Sequence, residues 1–108
     1  MINTESMEKA LNFLAESELQ WSELRASKDI EHKRAEIVLA SGIIDSPSSS
    51  QAGKKVDSMV STEYKKAIED YNLVLEAFYL IDAQRKRAEI TIDVWRSINS
   101  SRNKGQIV

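Results

Sequence analysis

Apolar residues recur at alternating spacings of three and four in the second half of the chain. The positions in this stripe are Tyr64, Ala67, Tyr71, Val74, Phe78, Ile81, Arg85, Ala88, Ile92 and Trp95. A repeat of about 3.5 residues forms one continuous line along an α-helix, and so long a line needs a facing helix to cover it. The pattern predicts a pairing helix over about residues 62–100.

A similar stripe with more polar interruptions runs through the first half of the chain. Its positions are Met7, Ala10, Leu14, Ser17, Trp21, Leu24, Lys28, Glu31, Ala35 and Val38. Asn3 or Thr4 can cap the helix, and Glu5 in the first turn suits the helix dipole. Gly42 is a typical helix stop, so we predict a first helix over about residues 5–41.

The two helices are joined by the segment DSPSSSQAGKK, Asp45–Lys55, which contains four serines, one proline and one glycine. It lacks large apolar side chains, and this composition predicts a mobile loop over about residues 43–56. Val56, Met59 and Val60 allow a short helical turn, and Ser61 or Thr62 can cap the next helix. The predicted fold is all-α: a single domain, residues 1–108, forming a long antiparallel, coiled-coil-like two-helix hairpin with a basic tail at 101–108.

Folding back at the serine-rich loop brings the two stripes together in a defined register. The expected pairs are Met7 with Trp95, Leu14 with Ala88, Trp21 with Ile81, Leu24 with Phe78 and Ala35 with Ala67. Arg85 then lies beside Ser17 and Glu18, where its charge can be compensated. Lys28 falls near Val74, and the register offers no explanation for it.

Several apolar residues lie outside both stripes, where one partner helix cannot reach them. These outward apolar residues are Leu19, Ile30, Ile37, Leu73, Tyr79, Leu80 and Val94. Full burial of one such side chain is worth about 1.5 to 3 kcal/mol. We therefore expect these residues to form the interface of a homo-oligomeric helical bundle, either a dimer of hairpins or a ring, with the number of subunits left open.

Composition narrows the function classes. Three glycines and one proline are too few for an all-β domain or for glycine-rich phosphate loops, and with no cysteine there is no disulfide or thiolate metal site. The N-terminal segment lacks the basic start and apolar core of a secretory signal, and no apolar run is long enough to span a membrane. We expect a soluble, cytoplasmic protein that does not enter membranes.

Candidate catalytic chemistry is sparse. His32 is the only histidine, and no nucleophile or second metal ligand lies at a useful spacing from it, so a solvated or interface role is the stronger interpretation. Acidic neighbours such as Glu69 and Asp70 do not share a helix face. We predict no enzymatic activity, no catalytic residue, no metal site and no cofactor.

Charge is unevenly distributed although the net charge is only −2. Residues 84–108 carry six basic residues against Glu89 and Asp93. Candidate phosphate contacts are Lys54, Lys55, Arg85, Lys86, Arg87, Arg96, Arg102 and Lys104, with Trp95 as a surface for base stacking. The alternative is neutralisation by the acidic first helix, within the chain or between subunits, which we favour for most of these charges. Arg102 and Lys104 are the exceptions because they lie beyond the predicted helix.

The segment EYKKAIEDYNLVLEAFYLIDAQRKRAEITIDVWRSINSSRN resembles small helical proteins of tailed phages, in which a tyrosine-led helix with a basic middle leads to a tryptophan–arginine end. The nearest named family is the UvsY-like recombination mediators. The resemblance covers most of the chain in layout: its size, a long first helix, a loop rich in small residues and a long second helix.

That resemblance implies an oligomer, in the host cytoplasm, that binds single-stranded DNA, helps displace single-strand-binding protein and loads a recombinase. The implied DNA contacts are Lys54, Lys55, Arg85, Lys86, Arg87, Arg102 and Lys104. The acidic pI of 5.4 departs from what such a role favours. Our leading expectation is an accessory protein of DNA recombination or replication that binds single strands and partner proteins; the alternative is a structural or adaptor protein, in phage assembly or another protein–protein interaction, that binds no nucleic acid.

Overall fold

The computed structural model describes residues 2–106, with side chains described through Arg102. Three α-helices make up this part of the chain: α1 over Thr4–Asp45, α2 over Gln51–Met59 and α3 over Thr62–Gln106. The all-α prediction is confirmed. Contacts divide the chain into unit 1, formed by Met1–Ser22 and Tyr79–Val108, and unit 2, formed by Glu23–Phe78. Each unit contains a segment of α1 and a segment of α3, and α2 belongs to unit 2.

The two predicted stripes are the covered faces of α1 and α3. Every one of the ten positions in each stripe is buried or half-buried. The buried positions are Ala10, Ser17, Ala35, Ala67, Phe78, Ile81, Ala88 and Ile92. Four of these are alanines, whose small side chains let two helices approach closely, and the larger stripe residues pack around them. The 3-4 spacing therefore predicted the buried face of each helix correctly.

Both long helices begin at capping side chains that the sequence offered as alternatives. The Ser6 backbone N–H donates to Oδ1 of Asn3 at 2.8 Å, so Asn3 caps α1. The Tyr64 backbone N–H donates to Oγ of Ser61 at 3.2 Å, so Ser61 caps α3. Each bond satisfies one of the N–H groups that a helix start leaves without an internal partner.

The connection between the long helices is more ordered than its composition indicates. Residues 51–59, which overlap the predicted loop, form α2, because Oγ of Ser50 accepts the Gly53 N–H at 3.0 Å and caps the helix. The Asp57 carboxylate accepts hydrogen bonds from Oγ of Ser46 at 2.6 Å and from Oγ of Ser48 at 2.7 Å. The serines of this segment therefore hold α2 in place.

Both long helices also extend beyond their predicted ends. α3 continues through residues 101–106, which we expected to be a tail, and it includes Gly105. Gly42 does not end α1, which continues to Asp45. Ser58 of α2 packs against α1 at Gly42. Ser58 is only 1% exposed, and its hydroxyl donates to the Leu39 carbonyl oxygen at 2.7 Å.

Gly42 is required for this close packing of α2 on α1. A Cβ atom at position 42 would lie 2.8 Å from Cβ of Ser58 and 3.2 Å from its Cα. Real side-chain carbons do not approach that closely, so a larger residue would push α2 away from α1.

We expect Gly42→Ala to lower the free energy of unfolding by about 1 to 3 kcal/mol, although alanine is the better helix former, because the added methyl group overpacks the contact with Ser58. Urea denaturation followed by circular dichroism measures the change. The exposed neighbour Ser41→Ala serves as control and should shift stability by less than about 0.5 kcal/mol. A Gly42→Ala protein more stable than wild type would contradict the overpacking.

Candidate interaction surfaces

Arg85 is the charged residue in the stripe of α3. Its guanidinium group has hydrogen-bond and aromatic partners inside unit 1. Its Nη1 donates to the Leu14 carbonyl oxygen and to Oγ of Ser17, each at 2.8 Å. The guanidinium carbon also lies 5.0 Å from the centroid of the Trp21 ring, a cation–π distance. The expected neighbour Ser17 is confirmed, whereas Glu18 is exposed. Arg85 therefore serves the packing of α3 on α1.

Asp82 extends this polar group along the same packed face. Its Oδ1 accepts the Trp21 indole N–H at 3.0 Å, and its Oδ2 pairs with Nζ of Lys86 at 2.9 Å. The hydrogen bond from Lys86, and to a smaller extent that from Trp21, lowers the pKa of the Asp82 carboxyl group. The same ion pair raises the pKa of the Lys86 amine. Lys86 is thus exposed but its charge is compensated locally.

We expect Arg85→Ala to lower the free energy of unfolding by about 1 to 3 kcal/mol, because Ser17 and the Leu14 carbonyl lose a charged donor in a half-buried site. Urea denaturation at a fixed protein concentration measures this effect. Arg87→Ala removes the same side chain from an exposed position of α3 and should change stability by less than about 0.5 kcal/mol. Equal effects of the two substitutions would contradict the structural role of Arg85.

The remaining basic candidates of unit 1 do not form one surface. Arg87, Arg96 and Arg102 are exposed. Since an α-helix turns by about 100° per residue, Arg87 and Arg96, nine positions apart, point to opposite sides of α3. Arg87 borders an open groove of about 430 Å³ that Lys9 and Phe13 also line. The side chain of Lys104 lies outside the described residues.

Arg102 lies instead at a smaller cleft near the start of α1. This cleft, of about 100 Å³, is lined by Trp95, Asn99 and Arg102 of α3 together with residues 2–4. It therefore combines an aromatic ring, an amide and a guanidinium group in one place. Trp95 was expected to offer a stacking surface, and it is half-buried here.

Lys54 and Lys55 lie on α2, in unit 2, where Lys54 is half-buried and Lys55 is exposed. A cleft of about 480 Å³ in the same unit borders Gly42 and Ser58, and its lining residues include Asp45, Asp57 and Glu63. The hydrogen bond from Ser46, which has the larger effect, and the one from Ser48 lower the pKa of the Asp57 carboxyl group. An acidic cleft repels phosphate, so these surroundings do not favour nucleic acid at α2.

Lys28 of the α1 stripe and the nearby His32 both have partners within unit 2. Nζ of Lys28, which the register left unexplained, pairs with Oδ1 of Asp29 at 3.0 Å and lies 5.3 Å from the centroid of the Phe78 ring. The His32 ring contacts the Tyr71 ring edge-on, with 5.3 Å between centroids, and its Nδ1 lies 3.4 Å from Oε1 of Glu36. His32 is thus in ordinary helix-surface surroundings. Within the part of the chain that the structure describes, no three His, Asp or Glu side chains are grouped to hold a metal ion.

All seven outward apolar residues are exposed, from 38% for Val94 to 70% for Leu19. Their proposed interface role stays a prediction. Sequence reasoning missed Ile44, which is 78% exposed, because the first helix was expected to end before it. Ile44 follows Ile37 by seven residues, as Ile37 follows Ile30, and this repeat could have revealed it.

Comparison of the chain with family models, with curated proteins and with solved structures finds no significant match. Within residues 2–106, no helix has a stretch long and apolar enough to cross a membrane.

Proposed function

We propose that this chain is a cytoplasmic structural or adaptor protein whose function is to assemble with helices of other chains, first of all copies of itself, into a helical bundle. The observation that carries this proposal is the contrast between two sets of apolar residues. Every position of the two stripes is at least half-buried, while all seven outward apolar residues are exposed. Packing within the chain therefore uses only part of its apolar surface.

The energetics favour covering that surface. A small domain is stable by only about 5 to 15 kcal/mol, and each large apolar side chain contributes about 1.5 to 3 kcal/mol when buried. A helix from another copy could cover several of these residues at once. The repeat of apolar positions every seven residues, as in Leu73 and Leu80, is the pattern that helix-on-helix packing uses.

We expect the protein to have a solution mass that is a multiple of its 12.2 kDa chain mass and that falls on dilution. Size-exclusion chromatography with light scattering over a range of micromolar concentrations measures it. Leu80→Ser should weaken the assembly, because it removes an exposed apolar side chain, whereas Glu76→Ser, an exposed polar control on α3, should not. A strict monomer at every concentration would rule out self-assembly.

A second candidate function is binding of single-stranded DNA in recombination or replication, as the resemblance to UvsY-like mediators implies. The cleft that joins Trp95, Asn99 and Arg102 favours it, since single-strand binders combine aromatic rings with basic groups. Arg85 and Lys86 do not add to it because both have partners inside unit 1. We rank this function second because the exposed arginines point in different directions.

For this second function, we expect a fluorescently labelled oligonucleotide to bind more weakly as salt increases, and Arg102→Ala to reduce the slope of that dependence by about one. Fluorescence anisotropy measures both. Lys65→Ala, which removes an exposed charge from the start of α3, is the matched control and should leave the slope unchanged. If no binding occurs at low salt, the DNA function is excluded and the assembly function stands.

A further inference from the structure

Unit 2 carries a continuous row of exposed isoleucines on α1. Ile30, Ile37 and Ile44 follow one another at intervals of seven and are 58%, 65% and 78% exposed. Leu73 of α3, 59% exposed, occupies the equivalent position of its own helix: Ile30 follows the stripe residue Lys28 by two, and Leu73 follows the stripe residue Tyr71 by two. We call these four residues the side face.

The side face belongs to one side of unit 2. In an antiparallel helix pair, equivalent heptad positions of the two helices border the same groove. Consistent with this, Ile37 of α1 and Glu63 of α3 line one cleft. The contact between His32 and Tyr71 sets residues 30–34 of α1 level with residues 69–73 of α3. Ile30 and Leu73 therefore lie at the same height on opposite edges of this groove.

At that height the two helices carry net charges of opposite sign, with Glu31 of α1 and Lys66 of α3 each offsetting one charge of its own helix. On α1 the basic pair is Lys33 and Arg34, and on α3 the acidic pair is Glu69 and Asp70. Arg34 and Asp70 already have partners within unit 2: Arg34 pairs with Glu31 at 3.2 Å, and Asp70 pairs with Lys66 at 2.7 Å. Lys33 directly precedes Arg34, and Glu69 directly precedes Asp70. Both Lys33 and Glu69 are exposed.

This charge pattern is self-complementary for one arrangement of two copies. A two-fold axis parallel to the helices places α1 of each copy against α3 of the other at the same height, so that Lys33 of one copy meets Glu69 of the other. A two-fold axis across the helices would instead place α1 on α1, basic edge on basic edge, and α3 on α3. Like charges brought together in this way oppose association.

We propose that the side face binds the side face of a second copy about a two-fold axis parallel to the helices. Ile30 then packs on Leu73 of the second copy, and Lys33 faces Glu69 of the second copy, with each contact formed twice. The proposal rests on the assembly function inferred above and specifies its partner, its surface and its symmetry.

Charge exchange tests the arrangement. Lys33→Glu alone and Glu69→Lys alone each place like charges in both symmetric contacts, and we expect each to weaken self-association about tenfold. Both substitutions in the same chain restore opposite charges, and association should return to within about threefold of wild type. The dissociation constant is measured by sedimentation equilibrium, and the difference between single variants and wild type should shrink at about 1 M salt, where surface charges are screened.

Matched variants separate charge from packing. Lys65→Glu makes the same charge change one residue after a stripe position of α3, away from the side face, and should associate like wild type. Leu73→Glu, which puts a charge inside the side face, should weaken association at least a hundredfold while circular dichroism shows the helices intact.

The outcomes distinguish this inference from the function on which it rests. Single variants that associate as tightly as wild type, or a double variant as weak as the singles, would overturn the two-fold arrangement and leave self-assembly standing. A wild-type chain that is monomeric at all concentrations would overturn both.

Discussion

Coverage of one narrow stripe on each long helix is the constraint on which the rest of this structure depends. A single facing helix can cover a stripe with 3-4 spacing and little more. The buried alanines of the stripes, whose small side chains permit close helix packing, are Ala10 and Ala88 in unit 1 and Ala35 and Ala67 in unit 2. Packing along the stripes therefore leaves apolar side chains exposed on the outer faces of both helices.

Polar residues within the stripes give the packing a specific alignment. Apolar residues alone permit a helix to slide by one heptad with little loss, whereas a polar side chain in the packed face is satisfied in one register. Arg85 finds Ser17 and the Leu14 carbonyl, and Trp21 finds Asp82, only when α1 and α3 are aligned as observed. These bonds explain why an arginine is tolerated where an apolar residue would pack more simply.

Periodicity predicted what depends on helix geometry, and composition failed where distant contacts decide. The stripe positions and the neighbourhood of Arg85 and Ser17 followed from spacing, because the side-chain period of a helix is a property of its backbone. The serine-rich segment looked like a loop because serine and glycine favour turns. Asp57 accepts hydrogen bonds from two of these serines, and no local sequence pattern predicts those bonds. Gly42 carried the signal of a helix end, and only Ser58, which is packed against it, shows that the glycine serves close approach.

The same distinction applies to the candidate sites: exposure of apolar residues follows from helix periodicity, whereas the partners of charged residues do not. Counting basic residues gave eight candidate phosphate contacts, which stay predictions. A charge count does not show which side chains already have partners within the protein, as Arg85 and Lys86 do. Exposure of outward apolar residues is easier to predict, since it follows from the same periodicity that defines the stripe.

Apolar residues and charges have separable roles in an assembly built this way. Exposed isoleucines at intervals of seven supply binding free energy to any apolar helix and do not select among partners. Lys33 and Glu69 are exposed. In the proposed dimer their role is to add little affinity and to penalise arrangements in which like charges meet. In the dimer proposed above, the apolar rows alone do not choose one geometry, and the opposite charges of Lys33 and Glu69 are the feature proposed to choose it.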